Sequence, residues 1–390
     1  MAPGSSVAPE GQKRSPANSS VFWRLVKADR RLGNVTGQRR KGAKGRDAEP
    51  KARQGAVAGR QGQRRLGGEL SHDCLRPSEL LDRLASRISP MSTYEFTTLL
   101  EGGAFFEGPR WHEDRWWVSD FYQHTVTTVD PDGSTAPMLS VEHQPSGLGW
   151  MPDGSLLVVS MRDHRILRRR PAGEVSVHAD LSAHCAGHLN DMVVDREGRA
   201  YVGEFGFDLM SFADPAPGKL MRVDPDGTVT VLDDDMRFPN GSVITPAGDT
   251  LIVGETAGAR YTAFSLSDDG SVSDRRVWAQ VGTPPELAPL EESFPQLKFA
   301  PDGCALDADG CIWAADAIGA RCVRVAEGGE IVDEIPAPEG LGIFACMLGG
   351  QDGRTLLLCA APDFLEANRA SASEAVLLTT VVESPHAGLP

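Results

Sequence analysis

Beyond residue 94 this chain repeats one short unit: a run of apolar residues that closes on an acid or a small residue, set between turn signals. The runs are Trp116–Asp120, Leu156–Ser160, Ala200–Glu204, Thr250–Glu255, Cys311–Asp316 and Thr355–Ala360. Marked at residues 117, 157, 201, 251, 312 and 357, they stand 40, 44, 50, 61 and 45 residues apart. Five of them are followed by a second strand-like run that ends in a Gly-containing turn, for example Thr125–Val129 before Pro131-Asp132-Gly133 and Lys219–Val223 before Pro225-Asp226-Gly227. Asp-Gly supplies the positive-φ position a tight hairpin needs. No long stretch has a helical period, so the folded part reads as all-β. Six similar units of this length predict a six-bladed β-propeller over residues 91–390. A β-sandwich would explain the alternation but not six similar units. The run Glu374–Val382 is strand-like, and pairing near Tyr94–Leu100 would close the ring and hide its edges.

Charge divides the chain in two. The net charge is −15, yet residues 1–90 hold 19 Lys+Arg against 8 Asp+Glu (+11), while residues 91–390 hold 20 against 46 (−26). The acidic body has no basic groove, which excludes nucleic acid and an anionic membrane as expected partners and suits a bound cation. Residues 1–90 are rich in Gly, Ala, Arg and Gln and are expected to be disordered. They read as a basic tail for polyanions, as a targeting peptide, or as a non-native extension ahead of a true start at Met91, and the abrupt onset of folded-looking sequence there favours the last. Residues 76–88 could form a short amphipathic helix. The seven cysteines form no CxxC pair, which points to reduced, buried thiols in a cytoplasmic protein. No apolar run is long enough to cross a membrane, and the first 30 residues lack the apolar core of a signal peptide. A monomer or homodimer is expected.

Polar residues just ahead of the repeated runs are the candidate site. They are Glu107 in Glu107-Gly108-Pro109, Asn190 in His188-Leu189-Asn190-Asp191, Asn240 in Pro239-Asn240-Gly241 and Asp302 in Pro301-Asp302-Gly303. Each also has a purely structural reading. Asn240-Gly241 is a common hairpin turn, Asp302-Gly303 is one of several such turns, and Asn190-Asp191 could be an Asx-turn. Glu107, between phenylalanines and a Gly-Pro, is the hardest to dismiss. Together they make two carboxylates and two carboxamides, an all-oxygen set of charge −2. Ca²⁺ or Mg²⁺ prefers such a set, with Mn²⁺ and Zn²⁺ less well matched. There is no GxSxG nucleophile elbow, phosphate loop or dinucleotide fingerprint. His184 and Cys185 could form a nucleophilic pair but lack an evident orienting partner. Cys304 reads as packing. Phe205–Phe207 and Arg237-Phe238 suit a less polar ligand.

Over most of residues 95–385 the chain resembles the SMP-30/gluconolactonase/LRE-like family. The resemblance rests on Glu107-Gly108-Pro109 with Trp111, Pro145-Ser146-Gly147-Leu148-Gly149, Asn190-Asp191, Pro239-Asn240-Gly241, and Pro301-Asp302-Gly303 with Asp307, Gly310 and Trp313. It implies a six-bladed fold in which Glu107, Asn240 and Asp302 bind one divalent metal. Asn190 would contact metal or substrate, with Asp191 beside it. It further implies a metal-dependent lactonase acting on a small lactone or ester. The cation would polarise the carbonyl, and Asp302 would also orient or deprotonate a water. His188 stands where animal-type sugar lactonases carry Arg, which bears on the substrate, and it would either donate to the leaving oxygen or line the pocket. The alternatives are a non-enzymatic binding propeller with a structural metal, and an organophosphate or aryl-ester hydrolase on the same scaffold.

Overall fold

A computed structural model of the chain describes residues 94–286 and 288–390. The expectations made for residues 1–90 and for a helix over 76–88 lie outside the described residues. Strand β1 (Thr97–Gly103) opens the fold. The first blade is β2 (Phe106–His112), β3 (Arg115–Asp120), β4 (Thr125–Val129) and β5 (Thr135–Ser140). The second is β6 (Pro145–Trp150), β7 (Leu156–Ser160), β8 (Arg165–Arg169) and β9 (Val175–Asp180). The third is β10 (Leu189–Val194), β11 (Ala200–Glu204), β12 (Gly218–Val223) and β13 (Val229–Met236). The fourth is β14 (Pro239–Ile244), β15 (Thr250–Glu255), β16 (Arg260–Leu266) and β17 (Val272–Gln280). The fifth is β18 (Pro301–Leu306), β19 (Ile312–Asp316), β20 (Arg321–Val325) and β21 (Ile331–Pro336). In the sixth, β22 (Gly342–Gly349) and β23 (Thr355–Ala361) are followed by β24 (Ala375–Val381), and β1 completes the sheet.

The first strands form the ring: β2 lies on β6, β6 on β10, β10 on β14, β14 on β18, β18 on β22, and β22 back on β2. This is the six-bladed propeller the repeats predict. The ring closes through β1 and β24, with Thr97 opposite Thr379 and Gly103 opposite Ala375. The blades are held face to face by apolar clusters. Trp117 and Val126 of the first blade meet Leu148, Leu156 and Val158 of the second. Val193, Tyr201 and Leu220 of the third meet Leu251, Val253 and Phe264 of the fourth. Burial of such side chains contributes roughly 1.5–3 kcal/mol each.

The repeated apolar runs prove to be the second strand of each blade, and their closing acids have a local task. Asp120 accepts from the Ala104 and Phe105 N–H groups at 2.8 and 3.2 Å, and Glu204 from Gly187 and Gly206 at 3.0 and 2.8 Å. Glu255 accepts from Arg237 N–H at 2.7 Å and Asp316 from Ala300 N–H at 3.1 Å. Each acid therefore pins the chain that leads into its own blade's first strand.

One expectation is overturned. Pro239-Asn240-Gly241 and Pro301-Asp302-Gly303 are not turns but the opening residues of β14 and β18. Gly241 and Gly303 are absent from the positive-φ glycines, whereas Gly133 and Gly227 are genuine turn residues at φ 85° and 88°. The two glycines serve close approach instead. A Cβ on Gly241 would lie 2.5 Å from Asp302 O, and one on Gly303 would lie 2.6 Å from Ala345 Cβ. Each is where the next blade's first strand comes nearest.

The segment after β24 crosses the far ends of three blades. His386 N–H donates to Gly353 O, Ala387 N–H to Leu306 O, and Leu389 exchanges both backbone bonds with Ile244 at 2.9 Å. Six described cysteines are free, and four of them are buried. No helix among the described residues is long and apolar enough to cross a membrane.

Candidate active site

The residue in second place on each first strand defines one level of the ring: Glu107, Ser146, Asn190, Asn240, Asp302 and Ile343. At the opening pair of every first strand the ladder is irregular, between Glu107 and Arg110, Pro145 and Leu148, Leu189 and Met192, Pro239 and Ser242, Pro301 and Cys304, and Ile343 and Ala345. Such bulges re-aim a side chain out of the regular alternation. The four expected ligands all sit in these bulges, in four different blades; Glu107, Asn190 and Asn240 are buried and Asp302 is half-buried.

Hydrogen bonds fix which atom each carboxamide presents. Asn190 Nδ2 donates to Pro239 O at 3.1 Å, and a carbonyl only accepts, so Oδ1 is the atom left over. Thr256 Oγ1 donates to Pro301 O at 2.7 Å and must therefore accept from Asn240 Nδ2 at 3.1 Å. That again leaves Oδ1. Asn190 thus spends an N–H on the next blade and Asn240 one on Thr256 of its own blade, and both keep their oxygens.

The carboxylates lie within each other's field. Burial pushes the Glu107 carboxyl well above its usual range, and the Asp302 charge adds to this, then Asp191, while the Gly108 N–H and Arg110 oppose it. Burial likewise pushes Asp302 up to about 8, opposed by hydrogen bonds from Asn240 and Gly303, with Asp191 raising it further. Among the described residues neither Glu107 nor Asp302 has an ion-pair partner.

Arg110, which sequence reasoning missed, explains why. It is buried, and its NH2 group donates to Asp191 Oδ1 at 2.5 Å and to Met192 O at 2.7 Å, while Nε donates to Leu148 O at 3.0 Å. The guanidinium is thus committed to the second and third blades. Asp191, expected beside the site, is tied to Arg110 and to the Met192 N–H at 2.8 Å, so it buttresses Asn190. The only signal for Arg110 was a basic residue inside an otherwise apolar Gly-Pro-Arg-Trp word.

His188 lies two residues before Asn190, with its ring 6.0 Å from that of Phe205 and 6.4 Å from that of His164. Its Nδ1 is buried without a hydrogen-bond partner, and burial holds its pKa below the usual value. Phe205, Phe207, Phe238 and Phe294 pack against one another on the same side. Burial, and then the Glu204 charge, pushes the Cys185 thiol up to about 12, which disfavours the thiolate a nucleophile needs. Cys304 is buried in the cluster between the fourth and fifth blades, as packing.

The described residues contain no group of three or more His, Cys, Asp or Glu side chains spaced to hold a metal ion. The candidate set is instead two carboxylates and two amide oxygens, and its chemistry fits a hard divalent cation.

Comparison with known proteins agrees with this architecture. A 6-deoxy-6-sulfogluconolactonase of Pseudomonas putida is 29% identical over 170 residues, 44% of this chain and 53% of that protein. A pentonolactonase of Haloferax volcanii is 27% identical over 213 residues, 54% of this chain and 65% of that protein. The matched stretch therefore spans less than two thirds of either relative. The crystal structure of a calcium-binding regucalcin of Agrobacterium tumefaciens shares the fold at a TM-score of 0.62 and 20% identity, covering 76% of this chain and 97% of that one. The model of the SMP-30/Gluconolactonase/LRE-like region matches residues 105–362, from the lead-in to Glu107 to the end of the sixth blade's second strand, and the chain belongs to that family.

Proposed function

We propose that this chain is a metal-dependent lactonase that hydrolyses the cyclic ester of a small hydroxylated acid. The observation that carries this reading is the pair of Glu107, buried, and Asp302, half-buried, whose carboxyls act on each other at one level of the ring with, among the described residues, no ion-pair partner for either. Two carboxylates held this close in a largely desolvated site repel each other at a cost that a positive charge between them removes. Glu107, Asn190, Asn240 and Asp302 would hold one divalent cation, with Ca²⁺ the best match and Mg²⁺, Mn²⁺ or Zn²⁺ the alternatives. Bound there, it supplies Lewis-acid polarisation of the ester carbonyl. Asp302 would accept a proton from the attacking water at a carboxylate oxygen, and Asn190 would orient the substrate. His188 would face the leaving oxygen, and the phenylalanines beside it would exclude bulk water. The lactonases among the chain's relatives support the reaction class.

Metal analysis and acid release test this reading together. The purified protein should bind one divalent ion per chain and release acid from a lactone, with activity abolished by a chelator and restored by metal. Glu107→Gln and Asp302→Asn should each lower kcat/KM at least about 100-fold, the scale on which one positioned catalytic group acts. Metal-dependent stabilisation without turnover on sugar lactones, aliphatic lactones, aryl esters or phosphotriesters would sink the enzyme and leave a binding propeller. Turnover confined to phosphotriesters or aryl esters would move the activity elsewhere on the same scaffold.

A further inference from the structure

Two residues ahead of the ligand level lies a second ring: Phe105, Gln144, His188, Phe238, Ala300 and Leu341. Four of these are apolar, and the polar pair falls on adjacent blades, the second and third. Gln144 is the unexplained member. It is 1% exposed, and its backbone is held at φ 67°, a conformation uncommon for a side chain of this size. Its Nε2 is buried and has no hydrogen-bond partner. The orientation of the amide is not arbitrary. Arg162 Nε donates to it at 3.0 Å, and a guanidinium cannot accept, so the atom facing Arg162 is Oε1 and the free atom is the donor. Arg162 is itself held by the Glu366 carboxylate, which balances its charge. On the next blade His188 Nδ1, at the matching position, is likewise buried and unpartnered.

An unmet buried N–H donor is costly, and strained backbone that persists around one marks a functional position. Because Arg162 is neutralised by Glu366, the free donor suits a neutral oxygen better than an anionic group. We propose that Gln144 is a specificity-determining residue of the lactonase site, its Nε2 donating to a hydroxyl oxygen of a polyhydroxy lactone, with Arg162 as the positioning residue that sets the amide. The idea rests on the lactonase reading above and deepens it. Ser146, two residues on, occupies the ligand level of the second blade with a neutral hydroxyl in place of a carboxylate or an amide.

The test compares glucono-1,5-lactone with unsubstituted δ-valerolactone on the metal-loaded protein, and measures gluconate binding by calorimetry. Gln144→Leu removes the donor, while Gln144→Glu keeps the volume and the Arg162 contact but replaces the donor with an acceptor. Both should lower the ratio of kcat/KM for the hydroxylated over the bare lactone about 10–100-fold, and weaken gluconate binding on the same scale, as expected for one buried hydrogen bond. The Glu variant keeps the comparison available if the Leu variant does not fold. An unchanged ratio, or a parallel loss on both lactones, overturns the role of Gln144. If the wild-type protein hydrolyses neither lactone, calorimetry decides. Gluconate binding weakened by either variant upholds the Gln144 subsite while the lactonase reading falls, and no gluconate binding by the wild type removes both.

Discussion

The acid most exposed to chance in this site is Asp191, because among the described residues its charge is balanced by a single buried guanidinium. Arg110 makes four hydrogen bonds across three blades, and both members of the pair are nearly sealed from water. Removing one member leaves an uncompensated charge where solvent cannot screen it. Arg110→Met should therefore destabilise the protein by about 3–5 kcal/mol, while adding Asp191→Leu to it should recover much of that loss. Chemical denaturation of the four corners of this cycle measures the coupling, and a cycle that sums to zero would show the pair to be incidental. At this scale the sequence was readable where a residue type is anomalous for its surroundings. Glu107 among phenylalanines stood out, and the structure buries it. Arg110 did not, because an arginine in a short word looks the same whether it points to water or into the ring. Gln144 was invisible for the same reason, since its significance lies in what Arg162 does to its amide.

Elements were legible to within a residue or two wherever a strand sits between two turns, as β4, β7, β8, β11 and β15 show. The misreading fell on the first strands, and the outer strands β5, β9, β13, β17 and β21 carried no run that stood out. Pro-Asp-Gly is a turn at residues 131–133 and 225–227 but the opening of a strand at 301–303. What separates them is room: Asp307 to Gly310 already turns the chain into β19, so the residues before it must form the partner strand. The glycine then has a different task, since a Cβ at Gly303 would overlap Ala345 of the sixth blade. Gly303→Ala must push β18 and β22 apart at the level of Asp302. A loss of about 1–3 kcal/mol is expected from overpacking, together with weaker divalent-metal binding. Calorimetric titration with Ca²⁺ alongside thermal melts checks both, and a variant that binds metal as tightly as the wild type would show that strand spacing does not set the site.

At the scale of the whole molecule, closure and site occupy opposite ends of the same strands. Asn240 and Asp302 stand at the beginnings of β14 and β18, and Ile244 and Leu306, at the ends of those strands, are bound by the segment that follows β24. The pairing of β24 with the first strand was foreseeable, because both runs alternate like strands and a ring needs a seam. The crossing by residues 382–390 was not, since Glu383-Ser384-Pro385-His386 has no strand pattern and is held through backbone bonds that any side chains would allow. That segment joins the fourth, fifth and sixth blades, the three that supply or flank Asn240 and Asp302. If the propeller were one cooperative unit transmitting strain along every strand, loosening this end would loosen the ligands. The ligand ends are pinned locally, by Glu255 on the Arg237 N–H, by Asp316 on the Ala300 N–H and by the Thr256 hydroxyl on Pro301 O, which argues that it does not. Deleting Glu383–Pro390 should therefore lower the melting temperature by several degrees, as the loss of about 1–2 kcal/mol would. The additional stabilisation conferred by saturating divalent metal should stay unchanged. Melting curves of the full and shortened chains with chelator and with Ca²⁺ separate the two effects. If the metal-induced shift disappears along with the segment, the far ends of the blades help to shape the site, and the division between a stabilising face and a chemical face fails.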